Sequence, residues 1–222
     1  MKTLIIGANG QIGKKIVSEC IDLGLDIRVM IRDESQMSYF TRLGVDAVVG
    51  DLEGDISHAF NGCEQVVFSA GSGSKSCPKK TLLVDLWGSI RAVEESERQG
   101  VKHFIMVSSL KSCDPLRGPQ IIRHYLVARN RADDSLIHST LNYTLLRPGR
   151  LLDTPATGML TSDFDWDDIK NAHSTVSRDD VVSTILAAII TPHSSNRVLD
   201  FIQGDVKVAD FMNTFSREEA TV

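Results

Sequence analysis

The chain has 222 residues, of which 42% are hydrophobic and 24% charged, and its net charge at pH 7 is −5. This length suits one sizeable α/β domain, and the acidic balance argues against a broad surface for nucleic acid or anionic membranes. No apolar run is long enough to cross a bilayer, and the four cysteines are too scattered for a C-x-x-C pair or a metal site, so we expect a reduced, cytoplasmic protein.

Short apolar runs rich in β-branched residues alternate with longer helical patterns. Strands are predicted at 3–7, 27–31, 46–50, 65–70, 103–109, 143–148 and 197–202, and helices at 13–24, 34–44, 82–100, 121–140 and 178–190, with a short helix at the end. Continuous apolar runs are typical of strands that are covered on both faces. The alternation predicts a single α/β domain over residues 1–222, with a doubly wound parallel sheet of about six to eight strands.

The alternation loosens after Gly149, where residues 150–174 are mostly polar. This segment is the predicted substrate-side loop of the domain. Its stretch Asp163-Phe164-Asp165-Trp166-Asp167-Asp168 sets two aromatic residues among four carboxylates. These residues could edge a pocket or bind a partner, or they could form an acidic solvated loop with anchoring aromatics.

A glycine-rich turn follows the first predicted strand and opens the first helix. Glycine can take a positive φ and lets a pyrophosphate approach the backbone, and a helix N-terminus offers unpaired N–H groups and the positive end of its dipole. The strand–turn–helix order therefore predicts a dinucleotide site, although a tight turn without a ligand is the alternative. The cofactor-binding residues predicted here are Gly7, Asn9, Gly10, Gln11, Ile12 and Gly13.

The end of the second predicted strand bears on the choice between NADP and NAD. An acidic residue there binds the ribose 2′-hydroxyl, whereas an arginine suits a 2′-phosphate. Arg32 occupies this position and Asp33 follows it. We predict that NADP is bound in preference to NAD, the alternative being that Arg32 is an ordinary solvated charge.

Two more predicted strands end in loops at the edge where such sheets bind ligands. Asp51 and Leu52 follow the third strand, and the Asp51 carboxylate could accept a hydrogen bond from the adenine amino group. Ala70, Gly71 and Ser72 follow the fourth strand, and such small residues let a dinucleotide pass close to the backbone. Each loop could instead be a simple turn.

The fifth predicted strand and the helix after it carry the candidate catalytic residues. The strand ends in Val107 and Ser108, which are predicted to bind the cofactor, and in Ser109, a candidate catalytic residue. Tyr125 comes 16 residues after Ser109, and Arg129 lies one helical turn beyond Tyr125. A tyrosine can donate the proton that accompanies hydride transfer to a carbonyl if a nearby cation stabilises its ionised form. The alternative is that Tyr125 and Arg129 are only neighbours on a half-exposed helix.

The turn GANGQIG, the strand end VSSL, the helix segment YLVAR and the segment YTLLRPG, taken together, resemble the short-chain dehydrogenase/reductase superfamily. The match is to its atypical branch, which includes NmrA-like proteins and biliverdin-reductase-B-like NAD(P)H-binding proteins. The resemblance implies a Rossmann-like fold that binds NADP or NAD.

By position, the resemblance makes Ser109 the substrate-orienting serine, Tyr125 the acid/base tyrosine and Arg129 the counterpart of the lysine that holds the nicotinamide ribose. An arginine keeps the positive charge, but its planar group is bulkier and cannot release a proton. The resemblance further implies that Lys80 approaches the cofactor, with a solvated helix start as the alternative. It also implies that Pro148 and Gly149 turn the chain over the nicotinamide.

Two functions follow. The first is an NADP(H)-dependent oxidoreductase that acts on a small carbonyl or conjugated substrate, which Ser109 and Tyr125 favour. The second is a catalytically weak or inactive protein that senses NADP(H) and binds a protein partner, which the missing lysine favours. Sugar-nucleotide epimerases and dehydratases of the superfamily usually have a larger C-terminal domain, so the short chain after Gly149 disfavours their chemistry.

Overall fold

A computed structural model of the protein describes residues 1–73, 77–164, 174–191 and 196–214. The strands are β1 (Thr3–Ile6), β2 (Ile27–Ile31), β3 (Asp46–Val49), β4 (Gln65–Phe68), β5 (His103–Val107), β6 (Tyr143–Pro148), β7 (Arg150–Leu152), β8 (Met159–Thr161), β9 (Thr175–Ser177), β10 (Arg197–Gln203) and β11 (Val206–Lys207). The helices are α1 (Gln11–Asp22), α2 (Met37–Arg42), α3 (Pro78–Lys80), α4 (Ser89–Arg98), α5 (Arg123–Ile137), α6 (Arg178–Ile190) and α7 (Val208–Thr214). A π-helical segment, Thr81–Gly88, joins α3 directly to α4.

A nine-stranded sheet has the order β11-β8-β10-β6-β5-β4-β1-β2-β3. The seven strands from β10 to β3 are parallel, whereas β8 and β11 add to one edge in antiparallel pairs. The direction of strand addition reverses between β1 and β4, which is where such sheets bind ligands at the carboxyl ends of the strands. The predicted doubly wound parallel sheet is therefore confirmed.

Helices cover both faces of the sheet, and successive residues of one strand serve opposite cores. Ile5 belongs to the core that includes Ile16 of α1 and Ile185 of α6. Leu4 belongs to the other core, with Ala92 of α4. Burial on both faces explains why the parallel strands read as unbroken apolar runs.

The predicted elements differ from the observed ones mainly where the elements are short or irregular. The helix predicted at 34–44 is a 3₁₀ turn, Glu34–Gln36, followed by the short α2. The helix predicted at 82–100 begins earlier, at Pro78, and contains the π-helical segment. Within the predicted loop 150–174, β7 and β8 form strands of three residues each; β7 pairs with β9, which follows the loop. The acidic residues Asp165, Asp167 and Asp168 and the neighbouring Trp166 lie outside the described residues.

Candidate functional site

A cleft of about 310 Å³ opens at the carboxyl ends of β1 to β4. It brings together the four loops that the sequence singled out. Nine predicted cofactor-binding residues line it, namely Gly7, Asn9, Gly10, Arg32, Asp51, Leu52, Ala70, Gly71 and Ser72. Seven other residues that were not predicted also line the cleft, namely Ile6, Met30, Ile31, Gln36, Gly50, Ser69 and Val84. Most of these residues directly adjoin a predicted residue along the chain. The ends of the predicted strands could therefore have indicated them.

The glycine turn is tightly packed against the backbone on both sides. Gly7 has a φ of 93°, and a Cβ atom there would lie 2.6 Å from the backbone nitrogen of Ala70. A Cβ atom on Gly13 would lie 2.2 Å from the backbone oxygen of Gly7. Both glycines are therefore required for the turn to sit between the start of α1 and the loop after β4.

The first turn of α1 is suited to an anion. Gly10 occupies the N-cap position without a side chain to accept from the helix, and the first turn carries no acidic residue. Its N–H groups and the positive end of the helix dipole are therefore left for a ligand such as a pyrophosphate. Ile12 can contribute only its backbone, because its side chain is buried in the core.

The side chains of Arg32 and Asp33 have different surroundings. Asp33 caps the following 3₁₀ turn by accepting a hydrogen bond from the Ser35 backbone N–H at 2.8 Å, and hydrogen bonding from Ser35 lowers the pKa of the Asp33 carboxyl. Arg32 is exposed and lines the cleft. Among the described residues, its guanidinium forms no salt bridge or hydrogen bond, so it is available to a phosphate.

The loop after β3 is held by its own backbone and by a neighbouring helix. The Asp51 carboxylate accepts from the Glu53 backbone N–H at 3.0 Å, and the Leu52 carbonyl accepts from Arg91 Nη1 at 2.9 Å. Lys80 was predicted to approach the cofactor, but it forms an ion pair with Glu53 and is not among the residues that line the cleft. The lysine at the helix start is therefore engaged by an adjacent carboxylate.

The helix α5 places Tyr125 and Arg129 on one face, as predicted. The guanidinium carbon of Arg129 lies 5.7 Å from the centroid of the half-buried Tyr125 ring. Arg129 Nη2 donates to the Ala70 carbonyl at 2.7 Å, so the end of this side chain reaches the wall of the cleft. Only 4% of Arg129 is exposed, and the guanidinium is not open to solvent.

Asp85, in the π-helical segment, is the partner of Arg129. Its Oδ1 atom lies 3.1 Å from Arg129 Nη2, and only 1% of Asp85 is exposed. Burial alone would lower the pKa of the Arg129 guanidinium, but the Tyr125 phenol and the Asp85 carboxylate outweigh burial and raise that pKa. Nothing in the sequence showed this pairing, although an acidic residue within the apolar run TLLVDLWG was an available signal.

Val107 and Ser108 lie beneath the surface of the site. Val107 packs in the core with α1 and α6, and Ser108 is buried with its hydroxyl 3.3 Å from that of Ser112. Ser109 is partly exposed just beyond β5. Of the three residues at this strand end, Ser109 is the one that is partly open to solvent.

A buried ionic network lies at the carboxyl ends of β6 and β10. Asp133 Oδ2 accepts from Arg147 Nε at 2.9 Å and from Ser112 Oγ at 2.7 Å, and Arg147 Nη1 lies 3.8 Å from Asp200 Oδ1. Burial raises the pKa of the Asp133 carboxyl. Burial also raises the pKa of Asp200, to about 6, with the charge of Asp133 adding to the rise and that of Arg147 opposing it.

Pro148 and Gly149 were predicted to turn the chain over the nicotinamide. Pro148 is buried at the end of β6, and the Gly149 N–H donates to the Phe201 carbonyl at 2.8 Å. A Cβ atom on Gly149 would lie 2.5 Å from the Ser174 carbonyl oxygen. In the described structure this glycine gives the start of β9 room to approach β7, and neither residue lines the cleft.

A family of NAD(P)H-binding proteins matches residues 7–192. The chain belongs to this NAD(P)H-binding family. This match confirms the predicted resemblance to atypical short-chain dehydrogenase/reductase proteins. It also supports a nicotinamide cofactor, because the family binds NAD(P)H. Within residues 1–73, 77–164, 174–191 and 196–214, no helix combines the length and apolar character needed to cross a membrane, and no three His, Cys, Asp or Glu side chains are grouped as metal ligands.

Two relatives are similar to this chain over nearly their whole length. The chain is 39% identical to the Bacillus subtilis protein named uncharacterized sugar epimerase YhfK, over 95% of this chain and 98% of that protein. It is 30% identical to the Saccharomyces cerevisiae UPF0659 protein YMR090W, over 96% and 98% of the two chains.

Solved structures show the same fold. A Bacillus halodurans protein described as an NAD-dependent epimerase/dehydratase matches with a TM-score of 0.87 and 38% identity, over 96% of this chain and 99% of that one. ChuY, an anaerobillin reductase from Escherichia coli O157:H7, matches with a TM-score of 0.75 over 93% and 99% of the chains, and at 22% identity it shows the fold alone.

Proposed function

We propose that the protein is an NADP(H)-dependent oxidoreductase that acts on a small carbonyl or conjugated substrate. The observation that carries this proposal is the hydrogen bond from Arg129 to the Ala70 carbonyl at 2.7 Å. Because Tyr125 stands one turn before Arg129 on α5, this contact sets the Tyr125 helix against the wall of the dinucleotide cleft. A proton donor at that edge is what reduction of a carbonyl requires.

The roles of the residues follow from the chemistry of carbonyl reduction. When bound, the cofactor would supply a hydride to the carbonyl, whose oxygen then needs a proton. The Tyr125 hydroxyl gives its proton to that oxygen, which yields the alcohol, and the tyrosine regains a proton from solvent. The Ser109 hydroxyl, partly exposed after β5, donates a hydrogen bond that orients the substrate oxygen.

The preference for NADP over NAD rests on the pair Arg32 and Asp33. An acidic side chain aimed at the cleft would favour the ribose hydroxyl of NAD, but the Asp33 carboxylate caps its own 3₁₀ turn. The guanidinium of Arg32, which has no ion-pair partner among the described residues, offers a planar fork that matches a 2′-phosphate.

The test is a screen of aldehydes, ketones, quinones and flavins for oxidation of NADPH and of NADH. Steady turnover with any of them, faster with NADPH, supports the proposal. Binding of the dinucleotide without turnover on any compound counts against the enzyme.

A second candidate is an NADP(H) sensor that reports to a protein partner from a cytoplasmic location. The observation that favours it is the ion pair between Arg129 and Asp85. A cation whose charge is already neutralised is less able to stabilise an ionised tyrosine than an unpaired one. Dinucleotide binding without turnover, together with a protein that co-purifies only in the presence of NADPH, would favour this function.

The names of the Bacillus relatives raise a third chemistry, the epimerisation of a sugar. Such a reaction returns the nicotinamide to its starting oxidation state, so it would proceed without net consumption of NADPH. We keep the reductase as the first proposal, and epimerisation is an alternative outcome of the test. A set of nucleotide sugars, followed by chromatography of the products, distinguishes the two reactions.

A further inference from the structure

The loop Ala70–Gly73, here called the wall loop, forms one side of the cleft and is held by two buried charges. Arg129 Nη2 donates to the Ala70 carbonyl at 2.7 Å. Asp85 Oδ2 accepts from the Ser72 backbone N–H at 3.1 Å. The two side chains also pair with each other at 3.1 Å, so each charge serves both its partner and one backbone group of the loop.

The wall loop rests directly on this pair. A Cβ atom on Gly71 would lie 3.1 Å from Asp85 Oδ1 and 3.3 Å from Arg129 Nη2. Gly71 is thus the residue whose missing side chain allows the backbone to approach both charges. The backbone of the wall loop therefore lies in direct contact with both charged groups.

The π-helical segment carries Asp85 and also touches the opposite wall of the cleft. A Cβ atom on Gly88 would lie 2.9 Å from Leu52 Cβ, and Arg91, one turn further, donates to the Leu52 carbonyl. The Ser89 hydroxyl donates to the Asp85 carbonyl at 2.9 Å. This carbonyl thus has a hydrogen-bond donor near the point where the π-helical segment ends and α4 begins. Segments of π-helix are rare and often occur at functional sites.

Stability alone does not account for a buried pair of this kind. Removing two charges from water is costly, and apolar side chains of similar volume often replace such pairs without loss of stability. Arg129 Nε and Nη1 and Asp85 Oδ1 have no hydrogen-bond partner among the described residues, which adds to the cost. Unlike an apolar pair, the charged pair forms hydrogen bonds to two backbone groups of the wall loop.

We infer that Asp85 and Arg129 are positioning residues that hold the wall loop at the height at which it binds the dinucleotide. This role rests on the dinucleotide binding of the proposed function. In this role Arg129 positions the loop through its contact with Ala70, and Asp85 contributes to cofactor affinity.

The experiment separates positioning from stability with the double variant Asp85→Leu/Arg129→Met. It removes both charges together and leaves no unpaired buried ion, so its urea midpoint should stay near that of the parent. Its affinity for NADPH, measured by calorimetry, should fall about 10-fold or more, because two hydrogen bonds to charged groups are lost. Exchange of the Ser72 amide hydrogen, followed by NMR without ligand, should become faster.

Two further variants serve as controls. Arg129→Lys keeps the charge and a donor, so its NADPH affinity should stay within about 3-fold of the parent. Asp180→Asn weakens another buried carboxylate that holds a loop, at Thr157 and Gly158, and it should lower stability without changing NADPH affinity. A loss of affinity in Asp180→Asn equal to that of the double variant would make the effect one of stability and overturn the inference.

The inference also fails if the double variant binds NADPH like the parent and its Ser72 amide exchanges at the parental rate. A parent protein that binds no dinucleotide overturns the proposed function and the effect on affinity. Faster Ser72 exchange in the double variant would still establish that the pair holds the loop, so the two failures are distinguishable.

Discussion

Tyr125 carries the hydroxyl on which the proposed chemistry depends. Tyr125→Phe removes only this oxygen, so NADPH affinity should barely change while turnover falls about 10²-fold, the usual scale for a lost acid/base group. Steady-state kinetics and calorimetry measure the two effects. Tyr39→Phe, on an exposed tyrosine of α2, is the matched control and should be silent. Turnover at the parental rate in Tyr125→Phe would leave the sensor as the better function.

Arg32 is the residue that should select the cofactor. Arg32→Ala should weaken NADPH binding about 10-fold and leave NADH binding nearly unchanged, because only NADPH carries the phosphate that the guanidinium would bind. Calorimetry with both dinucleotides measures the ratio. Arg42→Ala removes a similarly exposed arginine at the end of α2 and should not alter the preference. An unchanged ratio in Arg32→Ala would remove Arg32 from the phosphate site.

Asp200 makes stability depend on pH. Its pKa rises from 3.8 in the unfolded chain to about 6 in the folded protein, so between these values the folded state holds a proton that the unfolded state has released. Stability therefore falls as the pH rises from about 4 to 6, and it stays lower above that window. The groups that face Asp200 are Arg147 of β6, Asp133 of α5 and the Cys113 thiol, whose pKa is raised by burial and by Asp200.

Asp200→Asn should remove this penalty. We expect the free energy of unfolding at pH 8 to increase by about 1 to 2 kcal/mol, less than the full pKa shift corresponds to because solvent reaches 26% of the side chain. Urea denaturation at pH 5 and pH 8 measures the change. The exposed Asp205→Asn makes the same change of charge and should have little effect. A variant that is less stable than the parent at pH 8 would contradict the expectation.

The sequence was informative about single residues wherever position along a strand decided their place. Arg32 and Gly7 follow buried strands, and parallel strands deliver such residues to one edge. The partner of Arg129 could not be predicted in this way. It depends on three segments, around residues 71, 85 and 129, whose approach is set by helix packing rather than by local pattern.

Among the elements, the glycine turn before α1 is the least tolerant of change. Gly13→Ala places a methyl group 2.2 Å from the Gly7 carbonyl oxygen, which belongs to the backbone and cannot rotate away. We expect a loss of about 1 to 3 kcal/mol in the free energy of unfolding, the usual cost of overpacking, and loss of measurable NADPH binding. Urea denaturation and calorimetry measure both.

The control for this substitution is Gly54→Ala, in the turn after β3. A Cβ atom there would come no closer than 3.7 Å to another atom, the Asp51 carbonyl oxygen, so stability and binding should be retained. Parental affinity in Gly13→Ala would mean that the turn can open without disturbing the phosphate site.

Long regular elements were predictable because their pattern repeats, and short or irregular ones were not. The helix α6 was predicted with its observed bounds, since its apolar residues recur over thirteen positions. The strands β7, β8 and β9 have three residues each, too few to show alternation. The π-helical segment forms i→i+5 in place of i→i+4 hydrogen bonds, a difference that composition does not record.

At the scale of the whole molecule, the order of the parallel strands places the cleft. Because β1 lies between β2 and β4, the glycine turn, Arg32 and the wall loop come from adjacent strands and face one another across the switch point. The relatives in Bacillus subtilis and Saccharomyces cerevisiae align with this chain over nearly their full length. Sequence similarity to these relatives thus extends over nearly the whole chain.

The hydrogen bond from Arg129 to the Ala70 carbonyl also has a consequence for folding during synthesis. Synthesis from the N-terminus produces the glycine turn first and the wall loop second. Arg129, which holds that loop, follows only when α5 has been synthesised. The first half of the chain therefore contains the residues that line the cleft but not the arginine that contacts the wall loop. If the pair holds the loop as inferred, a nicotinamide dinucleotide would bind the nascent protein, and protect it against unfolding, only once α5 has docked.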